Sequence, residues 1–228
     1  YQYGYQNLQN IPLLIEFCNQ PFIDVRASLN SFIPKDMPNK ISQKIYKAYL
    51  NILIKNPSLH DKIEFEVALT CWIPNFINES LERLKPYGLD IKEVKVLEKS
   101  LKRITKKALT RIKNDTKKIN LMNEKRNNII NSNSSDFEKF KRLVDDSKKL
   151  GTLPFAHAAR SGFVAVALLK SFVKNKILTN KRYDEFMNGV FTVSSELQNI
   201  KFNKKNNLKK YNEVFNKFKH LRPGTYEI

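Results

Sequence analysis

Residues 151–174 read GTLPFAHAARSGFVAVALLKSFVK, the most apolar stretch of helical length in a polar and basic chain. Thr152 is a residue type that caps helices, and Pro154 fits a first helical turn because its missing N–H group has no partner there. The run Phe163–Leu169 is apolar on every side, which predicts burial all round. We therefore expect a helical domain organised around a buried central helix at about residues 154–174.

Charged residues interrupt this stretch at Arg160, Lys170 and Lys174. A membrane-spanning helix needs about 20 predominantly apolar residues, so we predict no membrane association. The two cysteines have no disulfide or metal-ligand spacing, which favours a reducing, cytoplasmic location.

The remainder of the chain is predicted to be mainly α-helical, with a small two- or three-stranded β element near the N-terminus. Apolar and polar residues alternate around Ile23 and Val25, and again over Ile63–Val67. If these two segments pair as strands, their charged faces could meet.

Two capping patterns mark helix starts. Asp90 with Glu93 predicts the start of a long helix, and Ser135 with Glu138 predicts another, which Gly151 would end. The polar, Asn-rich residues 120–134 are predicted to be a loop. We expect residues 1–228 to form one substrate-binding domain, a fragment of a longer multidomain protein, with 90–135 as an insertion or hairpin.

The charge balance is strongly basic: 41 Lys and Arg against 22 Asp and Glu give a formal net charge of +19. Such an excess is typical of proteins with polyanionic partners, although lysines spread over solvated helix faces produce the same number. The spread of lysines is the favoured interpretation, so nucleic acid is not the expected partner.

Polar residues on apolar segments are the candidates for a functional site. A buried charge is costly unless it is paired, so such groups contact each other or a ligand. Arginine suits carboxylate or phosphate, and a carboxylate suits an amino group or a proton to be removed. The candidate catalytic residues are Asp24, Glu64 and Glu66, and the candidate substrate- or phosphate-binding residues are Arg26, His157, Arg160, His220, Arg222 and Tyr226.

The same residues allow an internal salt-bridge network with no ligand. The sequence has no GxGxxG, GxxxxGK, HExxH or GxSxG pattern, so no nucleotide loop or metal site is predicted in this segment.

Five stretches resemble, in order, the central region of bacterial phosphoenolpyruvate-synthase-like kinases, most closely the glutamine kinases of capsule phosphoramidate synthesis. They are PFIDVRASLNSFIP (21–34), NPSLHDKIEFEV (56–67), GTLPFAHAARSGFVAVALLKSF (151–172), FMNGVFTVSSEL (186–197) and HLRPGTYEI (220–228). GTLPFA-x-x-AR and LRPGTY are the most specific. Residues 90–135 carry no part of the resemblance.

The resemblance implies a substrate-side domain between an ATP-grasp domain and a swivelling phosphohistidine domain of the same parent chain. ATP and Mg²⁺ would bind in the ATP-grasp domain, and this segment would bind no cofactor. The implied acceptor is a small amino acid such as L-glutamine, and the fragment alone is expected to be inactive. The alternative is a basic helical nucleic-acid-binding or protein-interaction module without catalytic activity.

Overall fold

The computed structural model describes residues 4–8, 10–192, 212, 213, 216 and 219. It is mainly α-helical with a small two-stranded sheet near the N-terminus, which confirms the predicted fold class. The chain divides into two compact units, Tyr1–Asn175 and Lys176–Ile228. The elements are β1 (Leu14–Phe17), β2 (Gln20–Ile23), α1 (Val25–Asn30), α2 (Asn39–Lys55), α3 (Phe76–Leu84), α4 (Ile91–Ile130), α5 (Asp136–Asp146), α6 (Leu153–Lys174) and, in the second unit, α7 (Asn180–Gly189).

The sheet is a hairpin of β1 and β2, antiparallel, with Leu14 opposite Ile23. Its two-residue turn, Cys18 and Asn19, has φ angles of 49° and 60°. Positive φ at both turn positions matches the right-handed twist of the flanking strands.

The predicted pairing of Ile23 and Val25 with Ile63–Val67 is wrong. Asp24 ends the extended stretch because its carboxylate accepts the Arg26 N–H at 2.8 Å and caps α1. Ile63–Val67 forms a π-helical turn that buries Ile63 and Val67. The alternation of apolar and polar residues did not produce a strand in either segment. The helix cap at Asp24 decides the first, and the burial of Ile63 and Val67 decides the second.

Both predicted capping boxes are confirmed. Asp90 Oδ1 accepts the Glu93 N–H at 2.8 Å, and Glu93 Oε2 accepts the Asp90 N–H at 3.0 Å. Ser135 and Glu138 make the reciprocal bonds at the start of α5. The loop predicted over 120–134 is wrong up to residue 130, because no Pro or Gly breaks the helix there and Ile129 is buried.

Neither the predicted helix end at Gly151 nor the cap at Thr152 is present. The backbone is helical from Asp136 to Lys174, through a π-helical turn at Ser147–Thr152. A Cβ at Gly151 would lie 3.0 Å from Met122 Sδ. The glycine thus permits close approach to α4 and does not terminate the helix.

Helix α6 buries one face only, so the prediction of burial on all sides is wrong. Its buried residues recur at helical spacing, while Phe163 and Ala165, inside the run Phe163–Leu169 that was predicted to be buried, are exposed. By length and composition, Asp136–Lys174 is the one helix among the described residues that could cross a membrane, a test that core helices of soluble proteins also pass. The cytoplasmic location stays a prediction.

The core is built mainly on α4. Apolar residues recur along this helix at steps of three and four and predict an apolar stripe, which is buried at its centre, whereas Ile91 and Ile112 at its ends are exposed. Helix α6 packs antiparallel on α4, with α2 and α3 completing the core. The fully buried members of the stripe are Val94, Leu97, Leu101, Ile104 and Ala108.

Candidate functional site

A cavity of 520 Å³ lies between the π-helical turn Ile63–Val67, the segment that follows it, α3 and α6. Its walls are fixed by hydrogen bonds. The Trp72 N–H donates to Thr105 Oγ1 on α4 at 2.8 Å, and the Ser171 hydroxyl of α6 donates to the Pro74 carbonyl at 3.2 Å. The volume is within the range of small-molecule sites.

Aromatic contact closes one side of the cavity. The rings of Phe65 and Phe163 meet edge to face, with centroids 4.7 Å apart and planes at 71°. This geometry suits the ring quadrupoles and connects the π-helical turn to α6. Further apolar lining comes from Leu69, Ile73, Phe76 and Val166.

One face of helix α3 lines the cavity. Its lining residues follow one another at steps of three and four, which places them on the same side of the helix: Phe76, Glu79, Ser80 and Arg83. Phe76 and Ser80 are buried, so this face packs inward.

Arg83 brings a positive charge to the cavity-facing side of α3. Within the described part of the chain it makes no ion pair or hydrogen bond. Burial lowers the pKa of Arg83, although the electrostatic interactions with Tyr49 and Glu66 act in the opposite direction. This guanidinium is half-buried, and its planar donors match a carboxylate or phosphate.

Glu79 and Ser80 carry buried oxygen atoms that can accept hydrogen bonds. Glu79 Oε2 lies 3.2 Å from Lys174 Nζ, whereas its Oε1 is buried without a hydrogen-bond partner among the described residues. Ser80 Oγ, on the same helix face, is also buried without one. Such atoms favour a ligand that donates hydrogen bonds.

Of the predicted catalytic residues, Glu64 and Glu66 line this cavity. The Thr70 hydroxyl donates to the Glu64 carbonyl at 3.3 Å, which ties the π-helical turn to the cavity wall. With Glu79 they give the cavity an acidic side opposite in sign to Arg83.

Asp24 and Arg26 do not line the cavity. Their carboxylate and guanidinium pair with each other at 3.0 Å, and the Arg26 side chain is 77% exposed. The side-chain hydrogen bond from Arg26 lowers the pKa of Asp24. This pair is a helix cap with a local ion pair.

His157 and Arg160 also lie outside the cavity lining. His157 Nδ1 is 3.1 Å from Asp115 Oδ1 and 3.0 Å from Arg111 Nη2, in a buried cluster between α4 and α6. One ring nitrogen can donate to the carboxylate or accept from the guanidinium, but it cannot do both.

The Arg160 guanidinium stacks on Tyr5 and Phe32, 4.8 and 5.5 Å from the ring centroids. Such cation–π contacts tie α6 to the N-terminal segment. The remaining predicted residues, His220, Arg222 and Tyr226, lie outside the described residues.

Three cavity residues were not predicted from the sequence: Glu79, Ser80 and Arg83. Their helical spacing after Phe76 was available as a signal, but α3 is short and amphipathic, and its polar residues resemble an ordinary solvated face. The packing of α3 on α4, with α6 across the cavity, is what turns that face inward.

Within the described part of the chain, no group of three or more His, Cys, Asp or Glu side chains is arranged to hold a metal ion. The sequence matches no family model, and no curated protein or solved structure is significantly similar to it.

Proposed function

We propose that this chain is the substrate-binding domain of an ATP-dependent phosphotransferase and that its cavity binds a small zwitterionic acceptor, with L-glutamine as the first candidate. The observation that carries the proposal is that one cavity contains both a cation and a buried hydrogen-bond acceptor, neither of which is paired with a described residue. The half-buried Arg83 guanidinium lines the cavity and can bind an anion, and the buried Glu79 Oε1 has no hydrogen-bond donor among the described residues.

An α-amino acid can pair with both groups through its carboxylate and its ammonium group. Arg83 would bind the carboxylate, and Glu79 would accept hydrogen bonds from the ammonium group. Phe65 and Phe163 would cover the aliphatic part of the side chain. Glu64 or Glu66 would take the proton that the acceptor nitrogen loses when the P–N bond forms.

The phosphotransferase part of the proposal is supported by the resemblance of the quoted motifs. ATP and Mg²⁺ would bind in an ATP-grasp domain, and a phosphohistidine domain would deliver the phosphoryl group. Its test is L-glutamine-dependent release of AMP by the complete product of the gene. Binding of L-glutamine without such release would overturn this part and leave a binding domain.

The binding part is tested by calorimetric titration of the 228-residue chain with L-glutamine and two analogues, glutaramate without the ammonium group and 4-aminobutanamide without the carboxylate. We expect L-glutamine to bind and each analogue to bind at least about 10-fold more weakly, because a hydrogen bond to a charged group contributes about 1.5–3 kcal/mol.

Arg83→Gln is expected to weaken L-glutamine binding by about 10- to 100-fold on the same grounds. Arg126→Gln is the matched control, because this arginine is exposed on α4 and does not line the cavity. Equal affinity of the Arg83 and Arg126 variants, or equal binding of all three compounds, would refute the proposed recognition of a zwitterion.

A further inference from the structure

One sector of the α4 surface is almost entirely cationic. An α-helix turns about 100° per residue, so residues within a sector of about 100° can be read from the sequence. Between residues 92 and 117 this sector has nine members, and all except Thr110 are Lys or Arg. We call the eight cations the basic stripe: Lys92, Lys95, Lys99, Lys102, Arg103, Lys106, Lys113 and Lys117.

Every side chain of the basic stripe is exposed. Lys102 pairs with Glu98 at 3.2 Å and Arg103 pairs with Asp36, which leaves six cations of the eight without an ion pair to any described residue. At 1.5 Å per residue, the stripe is about 37 Å long. The acidic residues of this part of α4 lie outside the sector.

Of the ten Lys and Arg residues between 92 and 117, eight lie in this one sector, and Lys107 and Arg111 lie outside it. The exposed surface of α4 also carries Val96, Leu109 and Ile112, yet these lie beside the stripe and not within it. The arrangement therefore concentrates positive potential along one straight line.

We propose that the basic stripe binds the phosphate backbone of single-stranded nucleic acid without sequence preference, as a function separate from the cavity. A line of unpaired cations gains affinity from the counterions that phosphates release. A single strand can lie along a straight stripe, whereas the backbone of a duplex curves away from it. The stripe lacks the aromatic and amide side chains that read bases.

A protein partner fits this surface less well. Protein interfaces have a core enriched in aromatic residues and depleted in lysine, and the stripe has no apolar member. A second copy of the same stripe would be repelled.

The test is fluorescence anisotropy of a labelled 20-nucleotide oligo(dT) with the 228-residue chain at 50 to 200 mM salt. Each phosphate contact contributes about −0.7 to the slope of log affinity against log salt, so six contacts give about −4. That slope corresponds to a loss of affinity of about 250-fold over this range.

The variant K95Q/K99Q/K106Q/K113Q removes four unpaired cations and should reduce the magnitude of the slope by about 3. The control K40Q/K47Q/K148Q/K149Q removes the same charge from exposed lysines elsewhere in the same unit. We expect the control to bind nearly as tightly as the unmodified chain.

Equal losses in the two variants would show attraction to net charge alone and would overturn the proposal, as would the absence of binding at 50 mM salt. Competition by poly-glutamate as effective as that by oligo(dT) would assign the stripe to acidic proteins instead. Tighter binding of a 20-base-pair duplex would refute the preference for a single strand. Unchanged circular dichroism of both variants verifies that they fold.

Discussion

The buried cluster between α4 and α6 makes a specific prediction for Asp115→Asn. This change keeps the shape of the side chain and removes the charge that faces His157 and Arg111. Asp115 is 3% exposed and His157 is 6% exposed. The amide cannot compensate the guanidinium, and one of its two polar groups can no longer accept a hydrogen bond.

The magnitude follows from the burial of the partners. Breaking a buried ion pair by removing one member costs about 3–5 kcal/mol. The Arg111 side chain is 23% exposed, so water can partly solvate its guanidinium when the carboxylate is removed. We therefore expect a cost at the lower end of this range, about 3 kcal/mol. For a unit of this size that loss lowers Tm by about 6–12 °C.

The assay is urea unfolding at pH 7, followed by circular dichroism, with Asp145→Asn as the control. Asp145 is an exposed carboxylate on α5, and its loss should change the free energy of unfolding by less than about 0.5 kcal/mol. A double-mutant cycle with His157→Gln should give a coupling of about 1–3 kcal/mol. L-glutamine affinity should not change, because neither residue lines the cavity.

A loss in Asp115→Asn no larger than that in Asp145→Asn would refute this reasoning. So would a coupling near zero, since the two side chains would then act independently despite the 3.1 Å contact.

Three further predictions concern the same unit. Tyr49→Phe should cost about 1–3 kcal/mol in the free energy of unfolding, measured in urea, because the buried hydroxyl accepts the Leu69 N–H at 3.0 Å and phenylalanine leaves that group unpaired; a neutral change would contradict this. Asp90→Ala should cost about 1 kcal/mol through loss of the α4 capping box, and Asp90→Ser should restore most of it, seen as recovery of Tm. Burial raises the pKa of Asp115, but hydrogen bonds with His157 and Arg111 outweigh it and hold the net value below the ordinary one. The stabilisation by the Asp115 carboxylate is therefore present above about pH 4 and is lost as pH falls through the lower folded-state pKa. The difference in free energy of unfolding between the unmodified chain and Asp115→Asn should therefore shrink in acid. A difference that grew in acid would contradict this prediction.

Local signals predicted helix starts correctly at the two capping boxes, although the single-residue cap predicted at Thr152 is absent and the cap at Asp24 was not predicted. The boxes at Asp90 and Ser135 depend on residues three positions apart, and both were correct because the bonds are local. The end of α4 was missed because an Asn-rich surface has weak intrinsic preference, and packing of Ile129 decided the outcome.

The candidate site was only partly predictable. Glu64 and Glu66 were selected for alternation in a strand that does not exist, yet they do line the cavity. Arg83 could not be identified as a site residue from the sequence around it, because an arginine at the end of a short helix is usually solvated. Only the long-range packing of α3 on α4, with α6 on the other side of the cavity, half-buries it, and no local pattern encodes that packing.

The antiparallel pairing of α4 and α6 has a consequence for uniqueness of the fold. Much of α6 is alanine, glycine and serine, and small side chains alone would let one helix slide along the other by a turn of about 5.4 Å. Two polar contacts of different chemistry between the helices resist such a slip: His157 with Asp115, and the Ser161 hydroxyl with the Ala108 carbonyl. A displacement by one turn breaks both together, so the two contacts favour a single register, and the bond from the Ser171 hydroxyl to the Pro74 carbonyl holds α6 to the segment before α3.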